Sequence, residues 1–237
     1  MTAVLSSAPG PLQLLPGPEY GMGWLQIVEN GKPIASLPQK DPYSEIYTVR
    51  GKWWGLCEER LINPLATVQD AKARDNEWNK YALLIRKEVK EFHTKVANKY
   101  HPLTHAFYGS DKAFLSFGQV RWVGNNSGLA SPLPPGCRTR PLDGHTPFSE
   151  LSAGRTVHTP VDGLPRRKYV MQSYLLAAAD EPGDGTVPYR SGVAPKPHVQ
   201  SLLRVKAEHE PAYQKCPPAR HFTLRAIVQL LKTVAPK

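Results

Sequence analysis

Two residues in the C-terminal part of the chain have the types and local sequence that proton transfer at an acyl centre needs. Asp184 lies between two glycines in the string Gly-Asp-Gly-Thr-Val-Pro of residues 183–188, and His209 follows 25 residues later. A carboxylate that orients an imidazole, and an imidazole that accepts a proton from a hydroxyl, are the acid and base of a catalytic triad. The flanking glycines allow a tight turn that points the carboxylate inward, and Pro188 ends the loop.

The elements around this pair are predicted to place both residues just beyond strand ends. Residues 169–178 form an apolar run typical of a buried strand, residues 199–205 predict a second strand, and residues 220–232 predict a closing helix. Open α/β sheets build their sites in the loops that follow strand ends. We therefore expect Asp184 and His209 to lie within hydrogen-bonding reach. The alternative is that Asp184 is an ordinary turn residue and that His209 caps an element or lies on the surface.

Four other histidines could take part in chemistry by residue type. His198 precedes a predicted strand and His221 lies inside the last predicted helix, so both fit the position of the base less well than the histidine at 209. His101 and His105 are four residues apart, which is a metal-ligand spacing on a helix. Pro102 interrupts that helix and no glutamate follows the first histidine, so the sequence predicts neither a metal nor another cofactor.

The rest of the chain is predicted to contain a hairpin, a long helix and two insertions. Asn30-Gly31 between two apolar runs indicates a hairpin. Residues 67–98 predict a helix inside a mainly helical insertion at 53–117, and residues 118–123 predict a strand. Residues 124–168 lose periodicity and are rich in Gly, Pro, Ser and Thr, so a flexible loop insertion is expected there. The apolar face of the long helix is predicted to consist of Trp78, Tyr81, Ile85, Val89, Phe92 and Val96.

Composition limits the classes of function. A chain of 237 residues is long enough for one domain spanning 1–237 with a sizeable core. The net charge of +10 favours anionic partners, but the Lys and Arg residues are scattered apart from 166–168 and match no nucleic-acid motif, so no nucleic acid is expected. Cys57, Cys137 and Cys216 are odd in number and far apart, which argues against a disulfide framework. Neither a signal peptide nor a membrane-spanning run is recognisable.

Two motifs near the C-terminal end resemble a known superfamily. The string at 183–188 is similar to the acid loop of α/β-hydrolase lipases and acyltransferases, and residues 208–213 with the helix that follows resemble the histidine loop and last helix. Other segments resemble bacterial phospholipase effectors of the type VI secretion system, namely residues 11–16, Tyr20, Trp24-Leu25, Leu37-Pro38, and residues 41–43, 45–47, 101–109 and 120–122. The resemblance implies a partial α/β domain, the C-terminal portion of a three-layer α/β-hydrolase, in which Asp184 orients His209.

The chain departs from this family in lacking a nucleophile. The effectors have a Gly-x-Ser-x-Gly elbow upstream of the segment that resembles residues 10–47. No serine in this chain has the paired glycines, including Ser110, Ser116, Ser127, Ser152 and Ser191. The resemblance therefore implies the C-terminal portion of a serine ester hydrolase whose serine is supplied by an upstream segment. The alternative is a non-catalytic binding or toxin-accessory module on a degenerate hydrolase scaffold.

The same resemblance carries expectations about substrate, partners and location. It implies a lipid or phospholipid substrate and peripheral contact with a membrane. It also implies an immunity protein, or a component of the secretion apparatus, as a protein partner. Synthesis in the bacterial cytoplasm and export by type VI secretion follow from it as well.

Overall fold

The computed structural model divides the chain into two compact units, in place of the single domain expected for 1–237. Unit 1 comprises Met1–Thr94 and Arg121–Ala177, and unit 2 comprises Lys95–Val120 and Ala178–Lys237. Helices and strands occur in both, so the chain has the mixed α/β structure predicted for it. The structure describes residues 2–65, 70–125, 133–146, 154–164 and 168–233.

The regular elements of the described residues are these. The strands are β1 (Leu25–Glu29), β2 (Lys32–Leu37), β3 (His105–Gly109), β4 (Asp111–Ser116), β5 (Val120–Asn125), β6 (Arg138–Thr139), β7 (Gly154–Asp162), β8 (Lys168–Leu176), β9 (Glu181–Gly183) and β10 (Ser201–Val205). The α-helices are α1 (Thr2–Leu5), α2 (Pro9–Leu12), α3 (Glu59–Ile62), α4 (Ala71–Leu84), α5 (Lys90–Val96), α6 (Tyr189–Val193), α7 (Ala212–Lys215) and α8 (Pro217–Thr233).

A six-stranded sheet forms the β-structure of unit 1, with strand order β2-β1-β5-β8-β7-β6. The β1–β2, β5–β8, β7–β8 and β6–β7 ladders are antiparallel. Asn30 and Gly31 join β1 to β2 with φ angles of 50° and 72°. Two left-handed residues are what a tight two-residue hairpin turn needs, so the predicted hairpin is confirmed.

Part of the segment predicted to be a flexible loop is an inner strand of this sheet. Strand β7 pairs with β8 over eight residue pairs. Val157, Thr159 and Val161 are buried at alternate positions, which is the period of a strand with one covered face. Because Thr159 and Pro160 interrupt the apolar alternation, the sequence pattern is weak there. The loop prediction for 124–168 is therefore wrong at 154–162. The parts of that prediction outside the described residues are 126–132, 147–153 and 165–167.

The long predicted helix is present but changes register at a π turn. Helix α4 is capped by Asp70, whose carboxylate accepts from the Ala73 N–H at 2.8 Å, and a π turn at Ile85–Val89 joins it to α5. A π turn adds a residue to the turn and rotates the buried face by one position. His93 is buried after it, whereas the predicted positions Phe92 and Val96 are 38% and 46% exposed. The first four predicted positions, Trp78, Tyr81, Ile85 and Val89, are buried.

Unit 2 is built on two short strand pairs, and the last helix covers one of them. Strands β10 and β3 are parallel, β4 and β9 are antiparallel, and α8 packs against β3 and β10. The core contains Val205, Ala207, Cys216 and Ala219. Because β3 and β4 lie within the predicted helical insertion at 53–117, that prediction is wrong from residue 105 onward. The predicted strands at 118–123, 169–178 and 199–205 and the helix at 220–232 correspond to β5, β8, β10 and α8.

Candidate acid–histidine site

Asp184 and His209 reach the site from the ends of two strands, but one of these is not the strand expected. His209 follows β10, as predicted. Asp184 follows β9, which pairs with β4, whereas the apolar strand β8 belongs to the sheet of unit 1. The strand that lies beside β10 in parallel is β3, with Gly109 opposite Val205. Asp184 therefore does not lie directly past the apolar strand at 169–178, as the sequence suggested, but past the short strand β9 that follows it.

The two side chains are hydrogen-bonded to each other. His209 Nδ1 lies 2.9 Å from Asp184 Oδ2. The other carboxylate oxygen, Oδ1, accepts from the backbone N–H of Val187 at 2.6 Å and of Thr186 at 3.0 Å. The loops are also joined through the backbone, because the His209 N–H donates to the Asp184 carbonyl at 2.9 Å. The two backbone hydrogen bonds to Oδ1 thus fix the orientation of the Asp184 carboxylate independently of His209.

The environment keeps Asp184 ionised. Burial alone would raise the pKa of this carboxyl, but hydrogen bonds from the Val187 N–H, the His209 ring and the Thr186 N–H outweigh it and hold the pKa below its ordinary value. A carboxylate that faces Nδ1 favours the tautomer of neutral imidazole with the proton on Nδ1. Nε2 is then a proton acceptor. No described residue hydrogen-bonds to it, and the His209 side chain is 49% exposed against 11% for Asp184.

Three glycines make this geometry sterically possible, each for its own reason. A Cβ at Gly183 would overlap Ser116 Oγ and the Val187 carbonyl. Gly185 has a φ of +91°, a left-handed conformation that side chains disfavour. A Cβ at Gly109 would lie 2.6 Å from both Asp184 Cβ and the Ala207 carbonyl oxygen. The last position was missed as a functional one, although residues 101–109 stood out in the sequence.

The other chemistry-bearing residues do not enter this site. Ser110 and Ser116 are both 1% exposed, and neither hydrogen-bonds to the candidate base. His198 stacks on Tyr100 at a centroid distance of 5.5 Å, and His105 Nδ1 lies 2.7 Å from Ser201 Oγ. Within the described ranges, no group of three or more His, Cys, Asp or Glu residues could hold a metal ion.

The arrangement defines a class of site: a partly buried carboxylate and an exposed histidine on hydrogen-bonded loops of a mixed α/β fold. No family model matches the chain, and no curated protein matches it. Among solved structures, a chain of the crystal structure of the Tle4–Tli4 complex matches with a TM-score of 0.65 and 22% sequence identity. The match covers 99% of this chain and 48% of that chain, so this chain spans about half the length of its structural neighbour. At this identity the likeness establishes a shared fold.

None of the helices in the described part of the chain combines the length and the apolar character that crossing a membrane requires.

Proposed function

We propose that this chain supplies the acid and the histidine of a lipid-directed serine ester hydrolase, as the C-terminal portion of a type VI secretion phospholipase effector with an α/β-hydrolase fold. The observation that carries the proposal is the hydrogen bond from His209 Nδ1 to Asp184 Oδ2, together with an Nε2 atom that has no partner among the described residues. This is the arrangement that the acid and the base of a catalytic triad have with respect to each other, without the serine hydroxyl. The shared fold with a chain of the Tle4–Tli4 complex supports it.

In the proposed reaction, His209 first accepts a proton and then donates it. Nε2 accepts the proton of the serine hydroxyl while the serine Oγ forms a bond to the ester carbonyl carbon. The imidazolium is stabilised by the Asp184 carboxylate, and Nε2 then gives the proton to the departing alcohol as the ester bond breaks. Water releases the acyl group by the same steps. The oxyanion donors belong with the serine elbow and come with the nucleophile-bearing segment.

The nucleophile-bearing segment is proposed to add a strand to the outer edge of β3. Within the described residues, β3 pairs only with β10, and parallel sheets of two strands rarely stand alone. A groove of about 490 Å³ lies between β3 and α8, lined by Phe107, Tyr213, Phe222 and Ile227 among others. Phe107 and Tyr213 meet edge to face at 5.2 Å. A parallel strand at this edge would cover apolar side chains and satisfy free backbone groups.

The proposed partners follow from the resemblance and from charge. The structural neighbour is a complex of two proteins, and we infer that this chain too is bound by an inhibitory immunity protein, with a secretion-apparatus component as the alternative protein partner. The net charge of +10 suits peripheral contact with anionic phospholipid headgroups. Synthesis in the bacterial cytoplasm and export by type VI secretion complete the proposal.

The test is reconstitution of activity. The chain is mixed with a nucleophile-bearing segment as a separate polypeptide, and hydrolysis of phosphatidylglycerol–phosphatidylethanolamine vesicles is followed with and without a serine-directed inhibitor. We expect inhibitor-sensitive turnover that is lost in His209→Ala and retained in Glu210→Gln, a control at an exposed carboxyl of the same loop. Turnover that survives His209→Ala would refute the assignment. A stable assembly without turnover would favour the non-catalytic module.

A further inference from the structure

Unit 1 contains a pocket of mixed aromatic and cationic character that the acid–histidine site does not use. Its volume is about 470 Å³, and all of its described lining lies in unit 1. Trp53 and Trp122 form the aromatic part of the lining, and Arg60, Arg155 and Thr146 contribute polar groups. Pockets that combine apolar walls with a few convergent polar groups are the usual form of small-molecule sites.

Arg155 is the arginine in this pocket that forms no ion pair with a described residue. Its Nη1 donates to the Trp53 carbonyl oxygen, and its guanidinium carbon lies 4.8 Å from the centroid of the Trp122 ring. No carboxylate of the described residues lies within ion-pair distance. Burial lowers the pKa of this guanidinium, with Glu58 acting in the opposite direction. Among the residues that the structure describes, one of the five N–H donors has an acceptor, and we infer that the others are available to a ligand.

The acidic side chains of the pocket are already engaged by other arginines. Glu58 Oε1 lies 2.6 Å from Arg60 Nη2, and Glu59 pairs with Arg50. Neither carboxylate forms an ion pair with Arg155, although the charge of Glu58 partly offsets the effect of burial on the Arg155 pKa. A half-buried guanidinium with one hydrogen bond and no counter-ion costs free energy that an anionic ligand would recover.

Thr146 provides a second, independent indication of a ligand. Its carbonyl oxygen accepts from Arg60 Nη2 at 3.1 Å, which holds this residue against the pocket. Its Oγ1 is buried and has no hydrogen-bond partner in the part of the chain that the structure describes. Buried hydroxyls are nearly always hydrogen-bonded, and this one has no water-accessible surface, so we infer that ligand binding turns the Thr146 side chain towards an acceptor in the pocket.

We propose that this pocket binds the phosphoryl group of an amphipathic ligand, through Arg155 and the Thr146 hydroxyl, with the apolar part of the ligand against Trp53 and Trp122. A phosphoryl group offers several acceptor oxygens to a planar guanidinium and to a hydroxyl at once. The shared chemistry is found in a phospholipid headgroup and in a soluble phosphate ester. The proposal goes beyond the hydrolase proposal and stands or falls separately, because none of its residues touches Asp184 or His209.

The test measures binding by tryptophan fluorescence and calorimetry on the full chain. All five tryptophans lie in unit 1, and two of them line the pocket. The probes are dihexanoyl phosphatidylglycerol below its micellar concentration, glycerol 3-phosphate, and uncharged dihexanoylglycerol. The variants are Arg155→Gln and Thr146→Val. Arg140→Gln is the matched control, since it also removes one positive charge from unit 1 but lies outside the pocket lining.

We expect the phospholipid to bind and glycerol 3-phosphate to compete with it. Affinity should fall about tenfold or more in Arg155→Gln and by about threefold to tenfold in Thr146→Val, since charge-assisted hydrogen bonds are lost. Arg140→Gln should retain wild-type affinity. Equal affinity for glycerol 3-phosphate and the phospholipid would identify a soluble phosphate ester as the source, and much weaker competition would identify the lipid.

Three outcomes would overturn the proposal. They are binding of dihexanoylglycerol as tight as that of the phospholipid, binding of none of the probes, and wild-type affinity in both pocket variants. Because Arg155→Gln removes a hydrogen bond to the Trp53 carbonyl, its thermal unfolding is compared with that of the wild type. Thr146→Val keeps the shape of the side chain and decides the question where Arg155→Gln is destabilised.

Discussion

Replacing Asp184 by asparagine tests the site without any nucleophile. The variant keeps a carbonyl oxygen that accepts from the Val187 and Thr186 N–H groups, so the loop retains two of its three side-chain hydrogen bonds. The oxygen that faces His209 Nδ1 becomes an NH₂ group. A donor then faces a donor, and the imidazole must take the other tautomer, with its proton on Nε2. A charge-assisted hydrogen bond is thereby replaced by a weaker, neutral one from the asparagine NH₂ to Nδ1.

The size and pH dependence of the effect follow from the geometry. A hydrogen bond to a charged group contributes about 1.5–3 kcal/mol, and exposure of the histidine places this one near the lower end, so we expect a loss of about 1–2 kcal/mol at pH 7. The pKa of Asp184 is lowered in the folded chain, so its contribution is present above the unfolded-state pKa of about 3.9 and is lost as pH falls through the folded-state value. The difference between variant and wild type should shrink below about pH 4.

Amide hydrogen exchange in β3 and β10, measured from pH 7 downward, reports this loss. Tryptophan fluorescence does not report it, because unit 2 contains none of the tryptophans. Glu210→Gln removes an exposed carboxyl from the histidine loop and should leave protection unchanged. Equal protection in Asp184→Asn and wild type at pH 7, or a difference that persists undiminished at the lowest pH, would refute the reasoning.

Three further expectations can be checked directly. The isolated chain should show no inhibitor-sensitive hydrolysis of short-chain esters or phospholipid vesicles, because no described serine hydrogen-bonds to His209; sensitive turnover would reveal a nucleophile in this chain. Gly185→Ala should lower the free energy of unfolding by about 1–2 kcal/mol through backbone strain alone, and Gly183→Ala by about 1–3 kcal/mol through overlap with Ser116, as measured by urea denaturation followed by circular dichroism. Burial raises the pKa of the Cys57 thiol to about 12, so its reaction with a thiol reagent at pH 8 should await unfolding, whereas that of the partly exposed Cys137 should not.

Local sequence patterns predicted the turns, loops and helices that depend on residues close together in the chain. The Asn30-Gly31 turn and the last helix depend on short-range turn chemistry and on apolar spacing, and both are present. Asp184 and His209 lie in loops that follow strands, as their local sequence indicated. The strand beside β10 could not be predicted this way. Parallel pairing of β3 with β10 joins distant parts of the chain, and an apolar run such as β8 looks the same whether it neighbours the site strand or belongs to another sheet.

The register of the long helix shows a second kind of limit. Spacing of three and four predicts Phe92 on the buried face. Because the π turn shifts the register of the helix by one residue, His93 is buried there instead. His93 is held by Tyr43 Oη at 2.7 Å and by the Gln13 carbonyl oxygen at 2.9 Å. A polar residue that is buried because two distant groups satisfy it has no signature in periodicity.

The acid of this site is close to the end of β3 in space although it is not adjacent to it in sequence. After β3 the chain leaves along β4 and returns along β9, which pair from Asp111 opposite Gly183 to Ser116 opposite Glu181. The returning strand delivers Asp184 to Gly109, whose missing side chain leaves room for it. A two-stranded stem thus places a carboxylate beside the strand that pairs with β10 as well as a strand end would.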